Sequence, residues 1–179
     1  CEAVIQSFNL WEGQREFIAE AFKDGENQFK DGNFSRSDTQ LCLEVVDLDL
    51  YQTLNGFVKK AFEQYTSVYS GILQNNDPVS TWTTKVQKTK AGGGYHQWHC
   101  ENGQFLYRDR VLAWMVYLNT VPSQSGGGTD FLHQKLTLQP EAGTIVLWPA
   151  SYTHVHRGGF LTGNVDKYIA TGWFIREPT

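Results

Sequence analysis

Behind Arg110, residues 111–118 (Val-Leu-Ala-Trp-Met-Val-Tyr-Leu) run apolar without a polar break. A strand with one wet face alternates apolar and polar residues; a continuous run of β-formers predicts a strand buried on both faces. Such a strand needs a layer on each side, so it fixes the middle of the fold. Other segments fit around it. Residues 81–89 are Thr-rich with Trp82 and Val86, a strand composition. Residues 136–138, 143–149 and 167–175 read as further strands, separated by turns rich in Gly, Pro and Asn. Many short strands between such turns predict an antiparallel sandwich or barrel.

The first part of the chain reads differently. A helix is expected over about residues 12–29, with Phe17, Ile18, Ala21 and Phe22 at helical spacing and Gly25 and Gly32 weakening its end. Residues 31–40 are polar and predict a loop, and residues 41–46 a short strand. A second helix is clearer. Asp47 or Asp49 caps it, and Leu54, Phe57, Val58, Ala61, Phe62, Tyr65, Val68, Tyr69 and Ile72 form its apolar stripe. The expected class is α+β, mainly β. It is one domain over residues 1–179, with a helical support over 1–77 and a strand-rich core over 78–179.

Composition excludes several classes. With 179 residues, 40% hydrophobic and only 19% charged, the chain suits one folded domain and not a disordered one. A net charge of -4 leaves no basic surplus for a phosphate backbone, so nucleic acid is not an expected partner. No apolar stretch reaches membrane-spanning length, and no basic-then-apolar leader opens the chain. Cys1, Cys42 and Cys100 lack CxxC spacing, which argues against a disulfide framework and for a reducing compartment. The expectation is a soluble cytoplasmic or otherwise intracellular protein. Nothing in the sequence indicates an oligomeric state.

All five histidines follow residue 95, and four fall in two groups: Tyr95-His-Gln-Trp-His-Cys-Glu101 and Thr153-His-Val-His-Arg-Gly158. Residues two apart on a strand share a face, so His99 and Glu101 converge, as do His154 and His156. One imidazole and one carboxylate from the first group with one imidazole from the second leave coordination positions open, which suits non-haem Fe(II). His96 reads equally well as a satisfied core histidine, and His133 as a structural or rim residue.

Further segments surround these groups in a fixed order. They are Gly92-Gly-Gly-Tyr95, Val116-Tyr-Leu-Asn119, Ser125-Gly-Gly-Gly-Thr129, the 143–150 strand, and Lys167-Tyr-Ile-Ala-Thr-Gly-Trp173. Over about residues 79–175 the chain resembles the prolyl-hydroxylase-like branch of the Fe(II)- and 2-oxoglutarate-dependent dioxygenases. The resemblance implies a double-stranded β-helix, a jelly-roll core with N-terminal supporting helices. It implies Fe(II), 2-oxoglutarate and O₂ as cofactor and cosubstrates, with ascorbate as a possible support. His99 matches the first iron ligand, and Glu101 stands where the family usually has Asp. The distal ligand matches His156, with His154 as the alternate. The family's basic residue follows that ligand by about ten positions, and Lys167 lies eleven after His156 and thirteen after His154. Lys167 would then pair with the distal carboxylate of 2-oxoglutarate. Tyr117, Thr171 and Thr89 would add contacts to the same cosubstrate. Arg108, Arg110, Trp98 and Trp114 are candidates for the substrate side, with core packing the alternative for Trp114.

The implied reaction converts 2-oxoglutarate and O₂ to succinate and CO₂ while a C–H bond is hydroxylated. Peptidyl proline is the expected substrate, and a free amino acid or small metabolite the alternative. The rival class is a cupin-like isomerase or binding module holding zinc or manganese through His96, His99, Glu101 and His154. Lys167 discriminates, because a simple cupin-like metal site needs no cation there. A purely structural β-sandwich would leave the ordered motifs unexplained.

Overall fold

The computed structural model describes residues 1–28, 34–73 and 78–177. It begins with helix α1 (Glu2–Glu12), strands β1 (Phe22–Gln28) and β2 (Phe34–Cys42), the one-turn helix α2 (Leu43–Val46) and the long helix α3 (Leu48–Val68). Strands β3 (Val79–Thr89), β4 (Gly94–Tyr95), β5 (Arg110–Tyr117), β6 (Thr129–Phe131) and β7 (Leu136–Leu138) follow. Strands β8 (Ile145–Pro149), β9 (His156–Gly158) and β10 (Lys167–Arg176) complete the chain order. The larger antiparallel sheet runs β1-β2-β3-β10-β5-β8, with β4 paired to β2; the smaller runs β7-β6-β9.

The apolar run is β5, and its two faces feed two cores. Leu112, Trp114, Val116 and Leu118 join Val4, Phe8, Leu54 and Val58 under the helices. Ala113, Met115 and Tyr117 join Phe131, Trp148 and Trp173 between the sheets. Strand β10 divides in the same way, with Tyr168, Ala170 and Phe174 on the helix side and Ile169 and Trp173 inside. Its register shifts between Gly172 and Trp173. A side chain at Gly172 would meet the Thr83 carbonyl and, at 2.6 Å, the Trp114 indole, so only glycine fits there.

Helix α3 forms as its spacing predicts. The Asp47 carboxylate accepts from the Leu50 amide at 3.1 Å, satisfying one of the open N–H groups of the first turn. Leu54 and Val58 are buried, and Phe62 stacks on Phe174 at 4.2 Å. The stripe is narrower than expected, since Phe57, Val68 and Tyr69 stay largely exposed.

The region before α3 departs from expectation. Helix α1 lies earlier than the 12–29 helix. The chain then turns through short 3-10 segments into β1, and Phe17 is 84% exposed. Residues 34–42, within and just after the expected loop, form β2, which pairs with β1, β3 and β4. Of that loop, residues 31–33 lie outside the described residues. Residues 41–46 contribute only the end of β2 before turning helical at Leu43. The N-terminal segment is therefore part sheet rather than wholly helical support. The physical reason is partner-dependent. Ladder bonds to β3 override local propensity, and a strand whose inner face lines a polar cavity carries no apolar alternation to read. Gly25, read as a helix weakener, lies beneath the Arg36 side chain, where a Cβ would collide with the guanidinium.

Cys1, Cys42 and Cys100 are all free thiols. Among the described residues, no helix is long and apolar enough to cross a membrane.

Candidate metal and cosubstrate site

The backbones of His99 and His156 exchange N–H···O bonds of 3.0 and 2.9 Å, which tie the segment after β4 to β9. The Glu101 amide donates to the Ala150 carbonyl at 2.9 Å and fixes the next residues against the end of β8. These bonds aim three side chains at one point. The ligand atoms of His99, Glu101 and His156 lie within 4.8 Å of one another. Glu101 Oε1 is 3.1 Å from His156 Nε2 and 3.6 Å from His99 Nε2.

The outer ring nitrogens set the tautomers. His99 Nδ1 donates to the Gln97 carbonyl at 2.8 Å, and His156 Nδ1 to the His154 carbonyl at 2.9 Å. A carbonyl only accepts, so both Nδ1 atoms carry protons, and each Nε2 is left facing Glu101, as a donor to the carboxylate while it holds a proton and as a ligand lone pair once a cation takes that proton's place. Two imidazole nitrogens and a carboxylate oxygen facing one point need a proton or a metal cation between them. This donor set fits a divalent iron held by three protein ligands with positions left open. Tyr95 stacks on His99 at 4.1 Å, and the Trp148 edge meets His156 at 5.0 Å, fixing both rings.

Glu101 in place of the expected Asp is accommodated by anchoring its second oxygen. Trp173 Nε1 donates to Oε2 at 2.8 Å and Arg110 Nη1 at 3.3 Å. Burial alone would raise the carboxyl pKa. Hydrogen bonds and charge from His156 and His99 override it and hold the group well below the usual carboxylate range. We expect Trp173→Phe, which removes one anchor and keeps the packing, to lower Fe(II) affinity about 10- to 100-fold. Anaerobic metal titration checks this; unchanged affinity would remove Trp173 from the support of Glu101.

The other expected residues are partly gathered. His99, Glu101, His156, Lys167, Thr89 and Thr171 line one cavity of about 290 Å³. Lys167 is buried, and its Nζ donates to the Gly127 carbonyl at 2.7 Å. Burial pushes its pKa down to about 8, partly opposed by the charge of Asp38. Thr89 is its register partner across β3, and Thr171 Oγ1 donates to the Trp114 carbonyl at 2.8 Å. Tyr117 does not line the cavity. Its hydroxyl is spent on Thr129 Oγ1 at 2.8 Å and on the Leu138 carbonyl at 3.3 Å. Burial pushes its pKa up to about 12, so it stays a neutral donor. The hydroxyl that faces the cavity is that of Thr129, within a motif the sequence marked without assigning the residue.

His154 lies outside the ligand cluster, on a short 3-10 turn with Nδ1 3.0 Å from Thr153 Oγ1. His96 is buried on Phe160 and bonds the Gly158 carbonyl, and His133 is exposed. Arg110 lines the cavity; Arg108 and Trp98 do not, and Trp114 is fully buried in the helix-side core. Sequence reasoning missed Arg36, Asp38 and Gln40 of β2 and Lys85 and Gln87 of β3, which also line the cavity. Their period-two spacing was the available signal.

The family model of the 2OG-Fe(II) oxygenase superfamily matches residues 84–175, just over half of the chain. The chain belongs to this superfamily. It is accordingly a 2-oxoglutarate-dependent dioxygenase, of a family that uses Fe(II), 2-oxoglutarate and O₂. Among solved structures it is similar to a prolyl hydroxylase from Trichoplax adhaerens in complex with a hypoxia inducible factor peptide fragment. Identity is 18% and the TM-score 0.71, over 97% of this chain and 76% of that one. A Pseudomonas putida prolyl-4-hydroxylase matches with 18% identity and a TM-score of 0.62, over 96% and 86% of the two chains. A viral collagen prolyl hydroxylase from Paramecium Bursaria Chlorella virus-1 matches with 21% identity and a TM-score of 0.55, over 68% and 72%. At these identities the likeness is one of fold, the double-stranded β-helix. No curated protein matches the chain.

Proposed function

We propose that this oxygenase hydroxylates a proline in a peptide, with iron held by His99, Glu101 and His156 and 2-oxoglutarate held through Lys167. The observation that carries the reading is the shared cavity, which joins a three-ligand cluster open to further ligands to a buried cation. A cupin-like metal site would have no use for that cation. When bound, iron and 2-oxoglutarate supply the oxidation, consuming O₂ and releasing succinate and CO₂ as a C–H bond becomes C–OH.

The chain's own residues do the holding. Nδ1 bonds to backbone carbonyls orient both imidazoles. Lys167 attracts the distal carboxylate where little water screens the pair. Thr89 lines the cavity beside it, Thr171 lines the cavity farther along β10, and Tyr117 acts at one remove by orienting the Thr129 hydroxyl. Met115, Trp148 and Trp173 wall the metal end and exclude water.

A peptide is favoured over a free metabolite by the surface beside the cavity. Phe105 and Leu106 are 76% and 81% exposed and sit in the chain between the cavity-lining Gln104 and Tyr107. Exposed apolar side chains at a mouth suit a substrate that extends beyond the reacting residue. The solved prolyl hydroxylases of the same fold, one of them holding a peptide, suggest proline.

The test is turnover with Fe(II), ascorbate, O₂ and 2-oxoglutarate, alone and with proline-containing peptides. Succinate formation should be slow alone and faster with a peptide, whose mass rises by one oxygen; His99→Ala should lose both. Succinate formed without any peptide hydroxylation would sink the prolyl reading, and no 2-oxoglutarate consumption at all would sink the site assignment.

A further inference from the structure

The cavity carries more positive charge than the proposed chemistry uses. Lys23, Arg36, Lys85, Arg110, Arg157 and Lys167 line it, against only Asp38 and Glu101, in a chain whose net charge is -4. Several of these charges are already matched. Arg36 pairs with Asp38 at 3.0 Å, Arg157 with Asp130 at 3.0 Å, and Arg110 with Glu101 at 3.3 Å. Lys167 is assigned to 2-oxoglutarate.

Lys85 is different. It is half-buried, and among the described residues no carboxylate lies within ion-pair distance of it. Its Nζ sits 5.0 Å from the centre of the Trp173 ring, the same ring on which the Arg110 guanidinium stacks at 3.6 Å. Burial lowers its pKa, and the charges of Arg110, Arg36 and Lys23 lower it further; Cys42 opposes them, and Asp38 feels Lys85 but is held by Arg36 and Gln40. Arg110 is itself buried, with its Nε lacking a hydrogen-bond partner. Two cations on one indole, of which only Arg110 is held by a carboxylate, together with the unused Arg110 Nε donor, leave positive charge for an anion. Trp173 also bonds Glu101, so this charge stands beside the metal ligands. It is not the cosubstrate's cation. Lys85 pairs in register with Thr171, four residues and roughly 13 Å along β10 from Lys167.

We propose that Lys85, with Arg110, forms a carboxylate subsite that selects substrates bearing an acidic residue next to the hydroxylated one. The peptide form of this subsite rests on the prolyl hydroxylase reading, while its charge selectivity does not.

The experiment compares proline peptides flanked by Glu, Gln or Lys, with free glutamate and glutamine alongside, in wild type, Lys85→Met, Lys85→Arg and Lys85→Glu. In the wild type the KM for the Glu-flanked peptide should be about tenfold or more below that for the Gln-flanked one. That ratio should fall to about twofold in Lys85→Met, recover in Lys85→Arg, and shift toward the Lys-flanked peptide in Lys85→Glu. Because the readout is a ratio within one protein, partial loss of folded enzyme does not change it. Peptides hydroxylated without charge preference overturn the subsite and leave the prolyl reading standing. Peptides left unmodified, with glutamate stimulating succinate formation over glutamine in a Lys85-dependent way, overturn the prolyl reading and leave the subsite standing. A 2-oxoglutarate KM that rises as far as the peptide KM in Lys85→Met assigns the lysine to the cosubstrate and overturns the proposal. So does the absence of a Lys85-dependent preference in every probe.

Discussion

His156→Ala is expected to abolish Fe(II) binding and to cut succinate formation by about a thousandfold or more, because it removes one of the three protein ligands we propose. His154→Ala is expected to weaken iron binding less than about tenfold. The contrast follows from what each residue contributes. His156 offers Nε2 at 3.1 Å from Glu101 Oε1. His154 offers its backbone carbonyl, which accepts the His156 Nδ1 proton and which alanine retains. Its ring lies 3.0 Å from Thr153 Oγ1 and outside the ligand cluster. Anaerobic Fe(II) titration of both variants, with circular dichroism to verify folding, separates them. Metal lost in His154→Ala and kept in His156→Ala would reassign the distal ligand.

Lys167→Met is expected to raise the 2-oxoglutarate KM about a hundredfold or more. In the proposed site Lys167 pairs with the cosubstrate carboxylate, and removing one partner of a buried ion pair costs roughly 3–5 kcal/mol, with every 1.4 kcal/mol about tenfold. Charge matters as well as position. The free enzyme's lysine titrates near pH 8, so 2-oxoglutarate affinity should fall about tenfold per pH unit above that value. Arginine, which stays protonated, should flatten the dependence if it fits.

The same residue makes a linked prediction about stability. An unfolded lysine keeps its proton to about pH 10.4, while the folded one loses it near 8. Between these values the unfolded chain binds more protons, so stability rises with pH. Below pH 8 both states are protonated and the burial cost is fully present. The ligand-free wild type should therefore gain on the order of 2–3 kcal/mol between pH 8 and 10 that Lys167→Met does not gain. Denaturant melts at several pH values measure the difference. Parallel pH profiles would place the titration elsewhere. A charge costly to the empty protein and satisfied by its ligand is what a dedicated anion site requires.

Much of the second half of the fold was legible, because its central strands β5 and β10 are buried on both faces. Residues 111–118 could not be a surface strand, and they divide between the two cores. Strand β10 divides in the same way, β8 was legible from its apolar run, and of the two caps expected for α3, Asp47 or Asp49, it is Asp47 that caps it. Strands β1 and β2 were illegible for the converse reason. They line a polar cavity with Lys23 of β1 and Arg36, Asp38 and Gln40 of β2, so they lack the apolar alternation by which a strand is recognised. Polar residues that would mark a loop on a surface mark a binding wall when neighbouring strands satisfy the backbone.

What the sequence determined by itself was the chemistry available. Two histidine groups and a carboxylate two residues after one of them follow from order and spacing alone, while the lysine eleven residues after His156 stood out through the family resemblance. Only the tertiary structure decided which atoms meet. It put His156 rather than His154 in the cluster, because the His99–His156 backbone bridge aligns those two rings while His154 turns away. It placed Thr129 rather than Tyr117 against the cavity, because the tyrosine hydroxyl is already bonded. It also set Lys85 beside Arg110 on the Trp173 ring. Residues distant in sequence acquire neighbours only through strand register, and no local pattern encodes which cation is left, among the described residues, without a carboxylate.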